Sequence, residues 1–202
     1  MPAITTPHPV PPTVTPERIA FYRRNGFVHI PNIITKDEAA RFRQAALDAA
    51  GRMTSEHKND IFTQLVNVWR EDPAMKPLTF HPHVAAAAVA LAGVKLRLWH
   101  DHILIKKPHN QAPTEFHQDQ PYWPHADSTH PLSAWIALCD VPVERGCMTF
   151  IPESQKYTDL PSQNLADDKS LMTLCPPLRW DPRVTVPLHA GDCTFHHGRC
   201  TT

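Results

Sequence analysis

The chain has 202 residues, of which 42% are hydrophobic, and its 20 Lys and Arg side chains balance 20 Asp and Glu side chains. This length suits one domain with a sizeable core, and the balanced charge argues against nucleic acid or an acidic membrane surface as partners. The five cysteines form no metal-type pair, and the N-terminus lacks the basic and apolar segments of a secretory signal. No apolar run approaches the length of a membrane-spanning helix. We therefore expect a cytoplasmic protein with reduced thiols.

The N-terminal half of the chain carries helix signals behind a proline-rich start. Residues 1–15 hold five prolines among small polar residues and predict a disordered or extended arm. Thr15 and Pro16 suit the cap and the first position of a helix that Gly26 would end. The run Thr-Lys-Asp-Glu at 35–38 is a capping box, which predicts the start of a second helix. The predicted elements are a helix over 16–25, a strand over 27–30, a helix over 39–53 and a helix over about 84–91.

Beyond Gly93 the pattern changes to short strands between proline- and aspartate-rich connections. The predicted strands cover residues 96–105, 134–138, 148–151 and 193–197. A helical layer over 16–93 followed by strands over 94–202 predicts a mainly β domain, a double-stranded β-helix or jelly roll with helices packed on one sheet. Residues 16–202 would form this single domain.

The segment His117-Gln118-Asp119 is the first candidate for a functional site. Side chains two residues apart on an extended strand point to the same side, so an imidazole and a carboxylate would face one metal ion. With a distant histidine, they would complete the facial triad of non-haem Fe(II) oxygenases. Tyr122 and Trp123 follow and suit the wall of an apolar pocket. The other interpretation of His117 and Asp119 is an exposed pair at the end of a strand.

Several segments in order make the resemblance more specific than this tripeptide alone. They include Phe-His-Gln-Asp-Gln-Pro-Tyr-Trp-Pro at 116–124 and Gly-Asp-Cys-Thr-Phe-His-His-Gly at 191–198. With these, the chain resembles the phytanoyl-CoA dioxygenase family of Fe(II)- and 2-oxoglutarate-dependent oxygenases over most of residues 16–200. The other segments that carry the resemblance are residues 100–108, 132–138 and 144–154.

The resemblance implies a cupin-like jelly roll, with His117 and Asp119 as iron ligands. It places Trp135 in the wall of the 2-oxoglutarate pocket, although an ordinary core aromatic is an equal interpretation. Gly146 matches a turn residue, and Gln64 and Asn67 lie in a region that can contact the co-substrate. The implied cofactors are Fe(II) with 2-oxoglutarate and O2 as co-substrates. The implied reaction hydroxylates a C–H bond of a small organic or acyl substrate while 2-oxoglutarate becomes succinate and CO2.

The family pattern breaks near the C-terminus of the sequence. Counted from Gly191 and Asp192, the third iron-binding histidine of the family falls at Thr202, and the arginine that holds 2-oxoglutarate falls further on. We therefore interpret the chain as C-terminally shortened, without the last strands of the jelly roll, and expect neither turnover nor a cooperative, well-packed fold. His196, His197 and Arg199 are possible replacements, but either histidine would lie several strand steps from the site.

Two other classes of function stay open at this stage. A non-catalytic jelly-roll binding protein of the same family would keep Tyr122 and Trp123 without a third ligand. A cupin-like metal enzyme independent of 2-oxoglutarate would need the third ligand but no arginine. The sequence identifies neither the substrate nor the oligomeric state, and the catalytic residues other than the metal ligands stay unknown.

Overall fold

The computed structural model describes residues 3–4, 8–53, 57–58, 63–106, 114–125, 127–160 and 171–202. Its helices are α1 (Pro16–Asn25), α2 (Lys36–Arg52), α3 (Lys76–Thr79), α4 (Pro82–Ala92) and α5 (Leu171–Leu174). Its strands are β1 (Ala3–Ile4), β2 (Phe27–Ile30), β3 (His57–Lys58), β4 (Thr63–Val66), β5 (Leu96–Arg97), β6 (His102–Ile105), β7 (Leu132–Ile136), β8 (Met148–Phe150), β9 (Val184–Val186) and β10 (Cys193–His197).

The first two helices begin and end where local chemistry predicts. Thr15 accepts a hydrogen bond from the Arg18 N–H and caps α1, while Gly26 ends it with φ +81°, a left-handed conformation that suits glycine. At α2, Thr35 and Glu38 each accept from the other's backbone N–H, which is the predicted capping box. The helix predicted over 84–91 begins two residues earlier, at the proline of α4.

A three-stranded antiparallel sheet in the order β2-β10-β7 lies at the centre of the fold. Its outer face carries Val28, Ile30 and Phe195, which are buried in one core with Tyr22 of α1 and other side chains. Phe42 of α2 and Leu91 of α4 belong to the same core. The N-terminal helices therefore cover this outer face, as the hydrophobic pattern predicts.

The inner face of the same sheet points away from the helices. The ladder places Phe27, Thr194 and His196 on this face together with Ser133 and Trp135, because Thr194 pairs with Trp135 and His196 pairs with both Phe27 and Ser133. The antiparallel pair β8–β9 covers part of it, and Phe150 of β8 stacks on Phe27 with ring centroids 4.5 Å apart. This inner face carries the polar groups described below.

The remaining strands form small separate sheets. β1 pairs with β5, and β3, β4 and β6 form a second three-stranded sheet, all antiparallel. Over the residues that the structure describes, the four sheets do not join into a closed barrel. None of the described helices combines the length and the apolar composition needed to cross a lipid bilayer.

Two of the predicted strand boundaries are wrong. The single strand predicted over 96–105 is divided into β5 and β6, because the Asp101 carboxylate between them accepts hydrogen bonds from the Trp69 N–H and the Thr79 hydroxyl. The strand predicted over 134–138 lies two residues earlier, as β7. The prediction of a separate arm over 1–15 stays a prediction; within those residues, β1 pairs with β5 and Val14 is buried in the core.

Candidate functional site

The His117-Gln118-Asp119 segment does not belong to a regular strand. His117 instead forms a two-hydrogen-bond pair with Thr202: its N–H donates to the Thr202 carbonyl at 2.9 Å and its carbonyl accepts from the Thr202 N–H at 3.0 Å. At Asp119 the backbone is helical, with φ −70° and ψ −44°, and a turn of 3-10 helix follows at Gln120–Tyr122. The predicted extended strand therefore ends at Gln118, where the chain bends.

The predicted convergence of the two candidate ligands is confirmed. His117 Nε2 lies 3.2 Å from Asp119 Oδ1. His117 Nδ1 lies 2.8 Å from the Glu115 carbonyl, which has no proton, so Nδ1 must carry one and donate it. In the neutral imidazole this leaves a lone pair on Nε2 that faces a carboxylate oxygen. Two acceptors at this distance need a cation between them, either a second proton on His117 or a metal ion.

The electrostatics of this pair follow from burial and from hydrogen bonding. Burial by itself would raise the pKa of Asp119, but hydrogen bonds from His117 and His196 outweigh it and hold that pKa well below its usual range. Burial would lower the pKa of His117, but the hydrogen bond to Asp119 and its negative charge raise it above the ordinary value. The carboxylate is therefore ionised, and it stabilises positive charge at the imidazole.

Two further side chains, Ser133 and His196, contact Asp119 from the inner face of the central sheet. Ser133 Oγ lies 3.0 Å from Asp119 Oδ2, and His196 Nε2 lies 3.2 Å from the same oxygen. The prediction that His196 lies several strand steps from the site is wrong. β10 ends at His197, and Gly198 and Arg199 form a turn, so the stretch to Thr202 is not one straight strand.

The described residues fit part of a metal site. Two ligands about 2.1 Å from an octahedral ion, and at right angles to each other, lie about 3 Å apart, close to the separation of His117 Nε2 and Asp119 Oδ1. Over the described residues, however, no group of three His, Cys, Asp or Glu side chains could hold a metal ion. Thr202, where the sequence predicts that the family's third histidine would fall, is the backbone partner of His117. Side chains of such a pair lie on the same face of the ladder.

The other residues singled out from the sequence lie at varying distances from this pair. Trp135 is partly buried on the inner face, two residues from Ser133, and packs against the cluster that contains Phe27 and Phe150. Its role in a 2-oxoglutarate pocket stays a prediction. Gly146 has φ +80° and ends a 3-10 turn, as its interpretation as a turn residue requires.

Gln64 and Asn67 lie on or beside β4, the strand that pairs with β6. Gln64 Nε2 lies 3.0 Å from Nδ1 of His102 on β6. Asn67 has a left-handed backbone with φ +60°, and its side-chain oxygen is buried without a hydrogen-bond partner. Neither observation assigns a co-substrate contact to these two residues.

A group of aromatic and imidazole rings in mutual contact, the ring cluster, includes one ring whose pKa is affected by the charge of Asp119. Its members are Trp99, His100, His102, Trp123 and His125. Ring centroids in this cluster are 3.7 to 5.6 Å apart along the contacts that join them. Burial and then the neighbouring His102 lower the pKa of His100 to about 4, although the charge of Asp119 opposes this shift. The cluster is therefore within electrostatic reach of Asp119, and His100 is neutral near pH 7.

Sequence reasoning missed Ser133 and, apart from Trp123, the members of the ring cluster. No local motif marks Ser133, because its role depends on the register between β7 and β10. The ring cluster joins residues 99–102 to residues 123–125, and only the fold brings these two segments together.

Comparison with known proteins identifies the family. The family model for phytanoyl-CoA dioxygenase (PhyH) matches residues 22–201. Peroxisomal phytanoyl-CoA dioxygenase of Mus musculus is 23% identical over 207 residues, an alignment that covers 91% of this chain and 61% of the mouse protein. The chain thus spans about three fifths of that relative's length.

Two solved structures are more similar in sequence. SnoK, a non-haem α-ketoglutarate-dependent carbocyclase from nogalamycin biosynthesis, is 34% identical with a TM-score of 0.83, over 96% of this chain and 79% of its own. The epimerase SnoN in complex with Fe3+, α-ketoglutarate and nogalamycin RO is 36% identical with a TM-score of 0.74, over 92% of this chain and 74% of its own. The likeness confirms the predicted jelly-roll fold class, although the described strands of this chain do not close a barrel. The chain belongs to the phytanoyl-CoA dioxygenase family.

Proposed function

We propose that the protein is an Fe(II)- and 2-oxoglutarate-dependent dioxygenase that acts on a small organic or acyl substrate in the cytoplasm. The observation that carries the proposal is the 3.2 Å approach of His117 Nε2 to Asp119 Oδ1, two acceptors that need a cation between them. Non-haem Fe(II) oxygenases bind their iron through imidazole and carboxylate side chains of this kind. All five cysteines are described and none is in a disulfide, which supports a reducing compartment.

Each group of residues has a separate part in this proposal. His117 and Asp119 would hold the iron, which when bound supplies the oxidative chemistry together with 2-oxoglutarate and O2. Trp135 would line the 2-oxoglutarate pocket from the inner face of the sheet. The ring cluster would contact the organic substrate, because indole and neutral imidazole rings offer flat, largely apolar surfaces together with N–H groups. The similarity to SnoK and SnoN, enzymes of nogalamycin biosynthesis, supports a substrate of this organic kind.

A non-catalytic binding protein is the second candidate function. The feature in its favour is the threonine at 202. Counting from Gly191 and Asp192 predicts the family's third iron-binding histidine at this position, and threonine cannot supply an imidazole. In this case, the ring cluster and Trp135 would bind a small molecule without oxidising it. A metal enzyme independent of 2-oxoglutarate is the third candidate, and the experiment below distinguishes it from the other two.

Anaerobic addition of Fe(II) and 2-oxoglutarate separates these candidates. The proposed function predicts a weak visible absorption band that requires both reagents and that disappears in the His117→Ala and Asp119→Asn variants. A band that never forms, while the protein still binds small aromatic molecules, would favour the binding protein. Saturable binding of Fe(II) with no effect of 2-oxoglutarate would favour the third class.

A gain-of-function variant tests the place of residue 202 directly. Because Thr202 pairs with His117 through two backbone hydrogen bonds, a histidine at 202 would lie on the same face as His117. We expect Thr202→His to tighten Fe(II) binding by about tenfold or more, as a third ligand completes the triad. Titration of Fe(II) under nitrogen measures this, with the double variant His117→Ala/Thr202→His as the control. An unchanged affinity would mean that residue 202 does not face the ion.

A further inference from the structure

The Asp119 carboxylate is held at one oxygen by two donors. Ser133 Oγ at 3.0 Å and His196 Nε2 at 3.2 Å both contact Oδ2, whereas His117 contacts Oδ1. An ionised carboxylate has no proton to give, so Ser133 and His196 must both donate. The two oxygens of this carboxylate therefore have different environments.

The two donors are fixed relative to each other by the central sheet. Ser133 and His196 are register partners in the β7–β10 ladder and lie on its inner face. The His196 side chain is only 4% exposed, and its ring lies 5.6 Å from the Phe150 ring. Because both come from paired strands, their spacing is set by the backbone rather than by flexible loops.

We propose that Ser133 and His196 are positioning residues that hold Oδ2 of Asp119, so that only Oδ1 is available to the metal ion. This inference rests on the metal role proposed for His117 and Asp119. Partners that hydrogen-bond to a ligating carboxylate orient it and tune its basicity, and loss of such a partner typically costs about 10- to 100-fold in metal affinity.

The hydrogen-bonding state of His196 argues against a role as the third ligand. Its Nε2 carries the proton that it donates to Asp119, so that nitrogen has no lone pair for a metal. Its Nδ1 is buried and has no hydrogen-bond partner. The geometry therefore gives His196 the role of a donor.

Anaerobic Co(II) titration followed by visible absorption tests the inference, because the band intensity also reports the ligand set. The variants are Ser133→Ala, His196→Leu, and His196→Gln, which keeps an N–H donor near the position of Nε2. The matched control is Thr194→Val, a buried residue on the same strand and face whose hydroxyl has no hydrogen-bond partner. Thermal unfolding in the presence of a chelator shows whether each variant folds.

We expect Ser133→Ala and His196→Leu to weaken Co(II) binding about 10- to 100-fold, with His196→Gln within about threefold of wild type. Thr194→Val should bind as wild type does. Wild-type affinity in both Ser133→Ala and a folded His196→Leu variant would overturn the inference while leaving the metal role intact. Loss of Co(II) binding together with a changed spectrum in His196→Gln would also overturn the inference, because His196 would then be a metal ligand and not a positioning residue. If neither wild type nor His117→Ala binds Co(II) saturably, the metal role itself fails, and the inference fails with it.

Discussion

The two faces of the β2-β10-β7 sheet carry different kinds of side chain. On the outer face, Val28 and Phe195 are buried in a cluster of apolar side chains that includes residues of the helices. On the inner face, Thr194 Oγ1 and His196 Nδ1 are buried without hydrogen-bond partners. An unsatisfied buried polar group lowers the free energy of unfolding. The inner face is therefore less stabilising than the apolar outer face. The contrast indicates that the outer face holds the fold together, while the inner face serves the site.

The same division appears on a smaller scale within residues 117–119. His117 and Asp119 point into the site, and Gln118 between them points the other way and is 3% exposed. Its amide donates to the carbonyls of Arg199 at 2.6 Å and Tyr157 at 3.2 Å, with Ser154 O further off at 3.4 Å. One side of the segment therefore presents possible ligands, and the other side fastens the segment to its neighbours.

The largest expected effect is the difference in stability between substitutions at neighbouring residues on opposite faces of β10. We expect Phe195→Ala to lower the free energy of unfolding by about 3–5 kcal/mol, because it opens a cavity in a fully buried core. Thr194→Val should change it by less than about 0.5 kcal/mol, or raise it slightly, because the lost hydroxyl has no partner. Urea denaturation measures both values. Equal losses of unfolding free energy in the two variants would show that the two faces do not differ in their contribution to stability.

Gln118 is expected to matter for stability at an intermediate level. Gln118→Met keeps the length of the side chain but removes the donor to two partly buried carbonyls from a buried position, which should cost about 1–3 kcal/mol. The matched control is Gln44→Met on the exposed surface of α2, where we expect a change within about 0.5 kcal/mol. Chemical denaturation of both variants provides the comparison. A Gln118→Met variant with an unchanged free energy of unfolding would show that the amide does not hold this segment in place.

The smallest expected effect is a pH dependence of stability at the end of β10. Burial, followed by the nearby Arg199 charge, lowers the pKa of His197 from the ordinary 6.5 to about 4. A lowered pKa in the folded state means that the unfolded chain binds the proton first. The contribution of neutral, buried His197 to the free energy of unfolding is therefore fully present above about pH 6.5. It is lost as the pH falls towards 4.

This contribution should amount to about 1–2 kcal/mol, because the ring is only partly buried. Thermal unfolding between about pH 7 and pH 4.5 measures it. His197→Asn, which keeps an acceptor for the Arg199 N–H, should flatten the decline relative to wild type. The control His8→Asn, at an exposed position, should retain it. Parallel curves for all three proteins would show that His197 does not titrate as its environment indicates.

The elements set by local chemistry could be predicted from the sequence. α1 and β2 have the predicted bounds, because Thr15, Pro16 and Gly26 are cap and stop residues whose effect depends on their immediate neighbours. β10 also has its predicted bounds. The proximity of His117 and Asp119 is predicted from their spacing of two on a strand, but the extended backbone that this argument requires ends at Gln118.

The features that depend on distant contacts could not be predicted in this way. The interruption between β5 and β6 depends on hydrogen bonds that Asp101 receives from Trp69 and Thr79, more than 20 residues earlier in the sequence. β4 and β9 are three or four residues long and carry no strong alternation that would mark them. The approach of His196 to Asp119 depends on the register of β10 with β7 and on the turn after His197, neither of which has a local signal.

The backbone pair between His117 and Thr202 has a consequence for insertions and deletions. Along paired backbone, a shift of one residue turns every side chain to the opposite face, whereas a shift of two restores it. One residue added between Gly198 and Thr201 would therefore turn the Thr202 side chain to the face opposite His117, and two added residues would return it. Relatives that keep a ligand opposite His117 should accordingly vary the length of this turn in steps of two.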